Sequence, residues 1–132
     1  MNDMNVRLTL PTRKDEALLI TTQDKSVLPF PVRRVFVIRD INHGAIRGKH
    51  AHKRTRQALF CIQGTMVIRL DDGKRKTTHR LTKPHHGIYI DRLVWSEMYG
   101  FSTDAVVLVF ASDYYREQDY IRSYDDFLRR VR

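Results

Sequence analysis

The chain has 132 residues, of which 42% are hydrophobic, and it carries 24 Lys and Arg residues against 15 Asp and Glu. A chain of this length is expected to form one domain, residues 1–132, with a core of its own. It contains no apolar run long enough to span a membrane and no apolar signal core near its start. The formal net charge of +9 and the pI of about 10.1 favour an anionic partner.

The basic residues are spread along the chain rather than collected in a tail, and no nucleic-acid-binding motif accompanies them. A phosphorylated small ligand is therefore favoured over a nucleic acid. The single cysteine, Cys61, excludes an internal disulfide and lies in the apolar run ALFCIQ. We expect a buried, unreactive thiol and a reducing, cytoplasmic location.

Short β-rich segments separated by turn residues extend to residue 111. We expect strands at 6–10, 18–22, 32–41, 57–63, 65–70, 76–81, 88–90, 94–99 and 105–111, with a further strand beginning at His50–His52. NHG at 42–44 and DDG at 71–73 are predicted turns, because Asn, Asp and Gly tolerate positive φ. Many short strands at this spacing indicate an all-β barrel or sandwich.

The C-terminal segment has a different periodicity. Apolar residues recur there at helical spacing, and basic residues close the segment, as suits the negative end of a helix dipole. We predict a short helix packed on the barrel, with its aromatic residues serving only as core. The predicted stripe consists of Tyr120, Ile121, Tyr124, Phe127 and Leu128.

Residues 44–64 contain the candidate site. His50 and His52 are two apart, so in a strand they project from the same face and could bind a metal or transfer protons. The flanking glycine spacing resembles the first motif of the cupin superfamily, whose small β-barrels carry a site in the barrel mouth. That motif normally supplies a Glu where this chain has Gln57, and the second cupin motif, here PHHGIYIDRLVWSEM, normally supplies a His near Ser96. An amide and a hydroxyl are poor ligands beside two imidazoles, so we expect acid–base chemistry without a metal or other cofactor.

Several longer motifs carry a closer match. RGKHAHKRTRQ, LDDGKRK, VWSEM and ASDYYREQDYIRSYDDF, within a region from about Pro29 to Leu128, resemble the sugar-nucleotide 3,4-ketoisomerases. The resemblance implies a cupin-type jelly roll with a short C-terminal helix. It also implies an isomerase that moves the carbonyl of dTDP-4-keto-6-deoxyglucose from carbon 4 to carbon 3 without a metal. Members are usually homodimers that exchange N-terminal strands.

Ketoisomerisation removes a proton beside a ketone and passes through an enediol, which suits a histidine base. The resemblance makes His52 the principal base and His50 its partner. Substrate-binding candidates are Arg47 and Arg34 for the diphosphate, Tyr89 and Trp95 for the thymine ring, and Ser96 beside the histidines.

The stereochemistry of the product and three alternative functions stay open. Many members of the family carry His or Arg where this chain has Ser96, which leaves the configuration of the product at carbon 4 undecided. A related sugar-nucleotide epimerase would also use a histidine base beside a ketone. A non-catalytic cupin module that binds a nucleotide sugar is a third reading, and a nucleic-acid binder is supported by net charge alone.

Overall fold

The computed structural model describes residues 6–23 and 25–132. Its strands are β1 (Arg7–Thr9), β2 (Thr12–Lys14), β3 (Leu18–Ile20), β4 (Arg34–Ile38), β5 (Arg47–His52), β6 (Gln57–Gln63), β7 (Met66–Asp71), β8 (Lys76–Leu81), β9 (His86–Ile90), β10 (Trp95–Tyr99), β11 (Val106–Ala111) and β12 (Tyr120–Ile121). A 3-10 turn, Glu117–Asp119, precedes β12, and the helix α1 (Tyr124–Val131) follows it. No helix in this part of the chain is long and apolar enough to cross a membrane.

The strands form two five-stranded antiparallel sheets and a separate hairpin. The first sheet has the order β1-β9-β6-β11-β4, and the second has the order β12-β5-β10-β7-β8. The hairpin consists of β2 and β3, which pair with each other and with no other strand of the described residues. The predicted all-β architecture with one short C-terminal helix is confirmed, although β2 was not among the predicted strands.

The main core lies between the two sheets, because alternate residues of their strands are apolar. Burial raises the pKa of the Cys61 thiol to about 11, which agrees with the prediction of a buried, unreactive cysteine. A smaller cluster on the outer side of the first sheet includes Phe30 and Phe60. The buried residues that the central strands give to the main core include Leu59, Cys61, Met66, Ile68, Leu70, Val107 and Val109.

Two predictions about element bounds are wrong. His50 and His52 end β5 rather than begin it. Tyr120 does not belong to a helix, because it pairs in an extended strand with His52. The helix begins only at Tyr124, after Ser123, whose hydroxyl accepts a hydrogen bond from an amide in the first turn.

A third apolar cluster explains why the helical spacing was misleading. Ile121 of β12 and Phe127 of α1 are buried in the same cluster, together with Ala51 and Trp95. Apolar residues at these positions are therefore required whether the segment is one helix or a strand followed by a helix. The pairing of β12 with β5, a long-range contact, determines the outcome.

Phe127→Ala tests whether α1 holds β12 in place. Phe127 is fully buried against Trp95, so we expect the substitution to lower the free energy of unfolding by about 3–5 kcal/mol. Urea denaturation followed by circular dichroism measures this change. Arg130→Ala, on the exposed side of the same helix, is the matched control and should change stability by less than about 0.5 kcal/mol. Equal effects of the two substitutions would contradict the packing role.

Candidate active site

The two histidines project from the end of β5 onto one face of the second sheet. Their ring centroids are 4.9 Å apart, and the ring planes are nearly perpendicular, at 87°. Ala51, between them, points to the opposite face and is buried in the cluster that contains Phe127. His50 and His52 therefore form a pair, as the two-residue spacing predicts.

Arg47 shares a cavity with His50, although a spacing of three residues would put them on opposite faces of a regular strand. The strand is irregular between them, because Gly48 has φ +90° and Lys49 has φ +35°. A side chain at Gly48 would lie 3.2 Å from the backbone carbonyl oxygen of Ser96. Glycine therefore allows both the left-handed backbone and the close approach that bring Arg47 and His50 together.

A buried carboxylate, that of Asp119, holds the ring of His52. Nδ1 of His52 lies 2.9 Å from Oδ2 of Asp119. The same carboxylate accepts hydrogen bonds from the hydroxyl of Thr55 at 2.6 Å and from the amide of Arg54 at 2.7 Å. Because an ionised carboxylate can only accept, Nδ1 of His52 carries the proton and Nε2 keeps its lone pair. This is the arrangement of an imidazole base oriented by a carboxylate.

Burial sets the charges of these groups. Desolvation and the neighbouring His52 ring lower the pKa of His50 to about 4, and the guanidinium of Arg122 acts in the same direction. Desolvation also lowers the pKa of His52, although Asp119 opposes it. Burial by itself raises the pKa of Asp119, but the hydrogen bonds that it accepts outweigh this effect and the pKa is lowered. At neutral pH both imidazoles are uncharged and the carboxylate is ionised.

β12 brings Tyr120 against both histidines. Its ring centroid lies 4.9 Å from that of His50 and 4.4 Å from that of His52. The guanidinium of Arg122 lies 4.3 Å from the Tyr120 ring centroid and pairs with Glu117 at 2.7 Å. The sequence pattern did not point to a site role for these residues, because the helical spacing of the segment predicts a helix. In an extended segment, the two-residue spacing of Tyr120 and Arg122 would have placed them on one face.

The histidine pair adjoins a cavity of about 380 Å³ between the two sheets, which we call the histidine cavity. His50 lines it, and His52 lies next to His50 with only 5% of its surface exposed. Among the described residues, no Asp or Glu lines the cavity. It therefore suits an anionic ligand with a flat or apolar part. Its cations are Arg34, Arg47, Lys49 and Arg122, and its apolar wall includes Phe36, Ile38, Leu59, Ile90, Met98 and Val109.

The structure does not bring Trp95 to this cavity. Trp95 precedes Ser96 on β10, and adjacent residues of a strand point to opposite faces. Ser96 lines the histidine cavity, whereas Trp95 packs on the other face against Tyr124 and Phe127, with ring centroids 5.3 Å and 5.8 Å away. The prediction that Trp95 contacts the thymine ring in this cavity is corrected accordingly.

Tyr89 is displaced for the same reason. It precedes Ile90, which lines the histidine cavity, and so it faces the outer side of the first sheet. There its hydroxyl donates a hydrogen bond to Asp91 at 3.1 Å, and its ring lies 6.4 Å from that of Phe30. The prediction that Tyr89 lines the site is corrected, and the aromatic rings that do line the histidine cavity are Phe36 and Tyr120.

Gln57 and Ser96 stand where a metal-binding barrel of this type would supply further ligands. Both are buried, and both line the histidine cavity. Within residues 6–23 and 25–132, no group of three or more His, Cys, Asp or Glu side chains is arranged to hold a metal ion. The added donors beside the histidines are a neutral amide and a hydroxyl, which bind transition metals weakly.

Comparison with known proteins identifies the family. A family model described as FdtA, WxcM-like, C-terminal, matches residues 4–132. The chain is 42% identical over 113 residues to the TDP-4-oxo-6-deoxy-alpha-D-glucose-3,4-oxoisomerase of Aneurinibacillus thermoaerophilus. The matched region covers 86% of this chain and 81% of that protein. The chain belongs to the sugar-nucleotide 3,4-ketoisomerase family. The predicted resemblance and the assignment as an isomerase are thereby confirmed.

Solved structures of 3,4-ketoisomerases share the whole fold. That of QdtA from Thermoanaerobacterium thermosaccharolyticum, in complex with TDP, matches with a TM-score of 0.93 at 35% identity and covers 99% of this chain and 96% of QdtA. A 3,4-ketoisomerase from Helicobacter canadensis matches with a TM-score of 0.92 at 38% identity, covering 97% of this chain and 98% of that one. A QdtA variant with asparagine in place of a histidine was solved with TDP-4-keto-6-deoxyglucose. The predicted cupin-type barrel is confirmed.

The low pKa of His50 predicts how stability changes with pH. The pKa is about 4 in the folded chain against an ordinary value of 6.5, so between these values the unfolded chain binds a proton that the folded chain does not. The free energy of unfolding should therefore fall as the pH is lowered from about 6.5 to about 4. Urea denaturation at several pH values, with wild type and His50→Gln, measures the effect. The decline should be shallower in the variant, and the same slope in both proteins would contradict the assignment.

Proposed function

We propose that this 3,4-ketoisomerase acts on TDP-4-keto-6-deoxyglucose, moves its carbonyl from carbon 4 to carbon 3, and does so by histidine-mediated proton transfer without a metal. The observation that carries the proposal is a pair of uncharged imidazoles beside a cavity lined by four cations. A relative 42% identical to this chain is named for the 3,4-isomerisation of this sugar nucleotide. The expected cytoplasmic location remains a prediction.

The cations of the histidine cavity account for binding. Arg34 and Arg47 present guanidinium groups, which pair bidentately with phosphate oxygens. Arg34 also lies 4.6 Å from the ring centroid of Phe36, so its position is held by an aromatic face. We place the diphosphate between Arg34 and Arg47, and the hexose against His50 and the hydroxyl of Ser96.

The division of work between the histidines follows from access. A general base must come within hydrogen-bond reach of the proton that it removes, and geometry is considered before pKa. His50 lines the cavity and His52 lies beside it, so we assign the carbon-bound proton to His50, which reverses the order expected from the resemblance. His52, oriented by Asp119, exchanges protons with the substrate hydroxyl groups.

The reaction then balances without a further reagent. His50 takes the proton from carbon 3, and the electron pair forms a carbon–carbon double bond while oxygen 4 gains charge and then a proton. The resulting enediol loses the proton of oxygen 3, carbon 4 takes a proton, and the carbonyl is left at carbon 3. Fixed cations near the cavity, including Arg47, stabilise the negative charge that develops on oxygen.

Turnover in deuterated water, read by NMR, tests the chemistry. Wild type should move the carbonyl and incorporate deuterium, and His50→Asn should lower turnover by at least about 10² while TDP still binds. Asp119→Asn should lower kcat with little change in KM, because Asp119 positions His52 without touching substrate. Binding of TDP with no carbonyl migration in wild type would favour a non-catalytic module. If the wild type incorporates deuterium at carbon 3 or 5 without moving the carbonyl, an epimerase is favoured.

The same experiment tests the two histidine roles. His52→Asn is the matched variant, and unreacted substrate should still exchange its carbon 3 proton for deuterium in that protein. If His52→Asn abolishes this exchange and His50→Asn preserves it, the roles are reversed.

We further propose that the chain is a homodimer. In the part of the chain that the structure describes, the hairpin of β2 and β3 pairs with neither sheet, and isolated hairpins are marginally stable in water. Val35 and Val37 alternate with the cavity-lining residues of β4 and are 54% and 52% exposed on its outer face. β4 is also one of the two edge strands of the first sheet, and an edge strand can pair with a further strand. A second copy of the chain could cover this face and the hairpin.

Sedimentation velocity tests the dimer. Wild type should sediment as a dimer at micromolar concentration, and Val35→Asp with Val37→Asp should shift it toward the monomer, because two carboxylates would be buried without partners. Thr78→Asp, on an exposed position of β8, is the control and should leave the dimer intact. A monomeric wild type would refute the proposal.

A further inference from the structure

A second cavity, of about 750 Å³, lies on the outer side of the first sheet, and we call it the arginine cavity. No described residue lines both this cavity and the histidine cavity. The neighbours Arg33 and Arg34 line different cavities, Arg33 the arginine cavity and Arg34 the histidine cavity. This follows because adjacent residues of an extended chain point to opposite faces. Five guanidinium groups line it, those of Arg33, Arg54, Arg56, Arg92 and Arg116.

Two of these arginines come from a segment whose backbone is held firmly. Arg54 and Arg56 line the arginine cavity, while Thr55 between them turns inward and donates to Asp119. The amide of Arg56 donates to the hydroxyl of Ser112 at 2.8 Å, and the amide of Ser112 donates back to the Arg56 carbonyl at 2.9 Å. The cations are therefore presented on an ordered backbone rather than on a loose loop.

The carboxylates of the cavity do not balance these charges. Of the carboxylates in residues 6–23 and 25–132, Asp91 and Asp113 alone line it beside the five arginines. Asp91 already accepts hydrogen bonds from the hydroxyl of Tyr89 at 3.1 Å and from the amide of Arg92 at 2.8 Å. Asp113 accepts a hydrogen bond from the amide of Tyr114 at 2.9 Å, and the guanidinium of Arg116 lies 4.0 Å from the same carboxylate. The lining carries a clear excess of positive charge.

The remaining cations lack acidic partners within the described residues. The guanidinium carbon of Arg33 lies 5.9 Å from the ring centroid of Tyr114. Neither Arg54 nor Arg92 has a side-chain ion pair in this part of the chain. Guanidinium groups gathered in one concavity repel one another, and each offers a planar fork of donors that fits phosphate oxygens.

We propose that the arginine cavity is a second anion site, which binds a di- or polyphosphate group independently of the histidine cavity. A multiply charged phosphate satisfies several guanidinium forks at once, whereas a single carboxylate would leave most of them unpaired. The site does not depend on the isomerase reaction, since none of its described lining residues lines the histidine cavity.

Isothermal titration calorimetry with inorganic pyrophosphate at low ionic strength tests the site. Arg33→Gln with Arg92→Gln removes two cations of the arginine cavity, and Arg34→Gln with Arg47→Gln removes two of the histidine cavity. Arg80→Gln with Arg130→Gln, at exposed positions elsewhere, is the control for net charge. Binding should persist in the histidine-cavity variant and in the control. In that same histidine-cavity background, adding Arg33→Gln and Arg92→Gln should weaken it by at least about tenfold.

Ketoisomerase turnover separates this proposal from the proposed function. The arginine-cavity variant should keep wild-type turnover, and its circular dichroism spectrum should be unchanged. If pyrophosphate binding is lost in the histidine-cavity variant alone, or is weakened equally by the net-charge control, there is no second site. Either result would leave the isomerase assignment untouched.

Discussion

The hydrogen bonds of Asp119 tie together the parts of the chain that form the active site. Its carboxylate accepts from His52, Thr55 and the Arg54 amide. Its backbone carbonyl accepts from the amide of Lys53 at 2.8 Å. A buried carboxylate without such partners would be costly, so these bonds constrain the segment that follows β5 against the segment that precedes β12. The residue after Asp119 is Tyr120, which for this reason lies on the histidine rings.

The alternation of side chains along extended strands decides which residues reach the histidine cavity. Ser96 and Ile90 line it, so their neighbours Trp95 and Tyr89 face away from it. The sequence predicted the strands well, since the expected bounds 57–63 and 76–81 agree with β6 and β8. Predicting both Trp95 and Ser96 for one cavity contradicted that same alternation. This part of the error could have been avoided from the sequence alone.

Other features depend on contacts that local sequence does not determine. The segment around Tyr120 has an apolar spacing compatible with a helix, and only pairing with β5, more than sixty residues earlier, makes it a strand. Asp119 was not predicted as a site residue because its partners His52 and Thr55 are equally distant in sequence. The irregularity at Gly48 likewise becomes evident only when Ser96 is placed beside it. The local sequence pattern thus predicts that a strand exists, whereas predicting which residues form the site requires knowledge of how the strands pair.

The charge of the histidine cavity links binding to catalysis. Desolvation, the His52 ring and the Arg122 guanidinium all hold the pKa of His50 low, so the free chain presents the unprotonated form that a base requires. A bound diphosphate would bring negative charge among the cations that surround His50, which favours the protonated imidazole. An enediolate forming beside the ring would act in the same direction. The basicity of His50 would thus rise as the substrate binds and reacts, so a group that is uncharged in the free protein can take up the carbon-bound proton and return it to the neighbouring carbon.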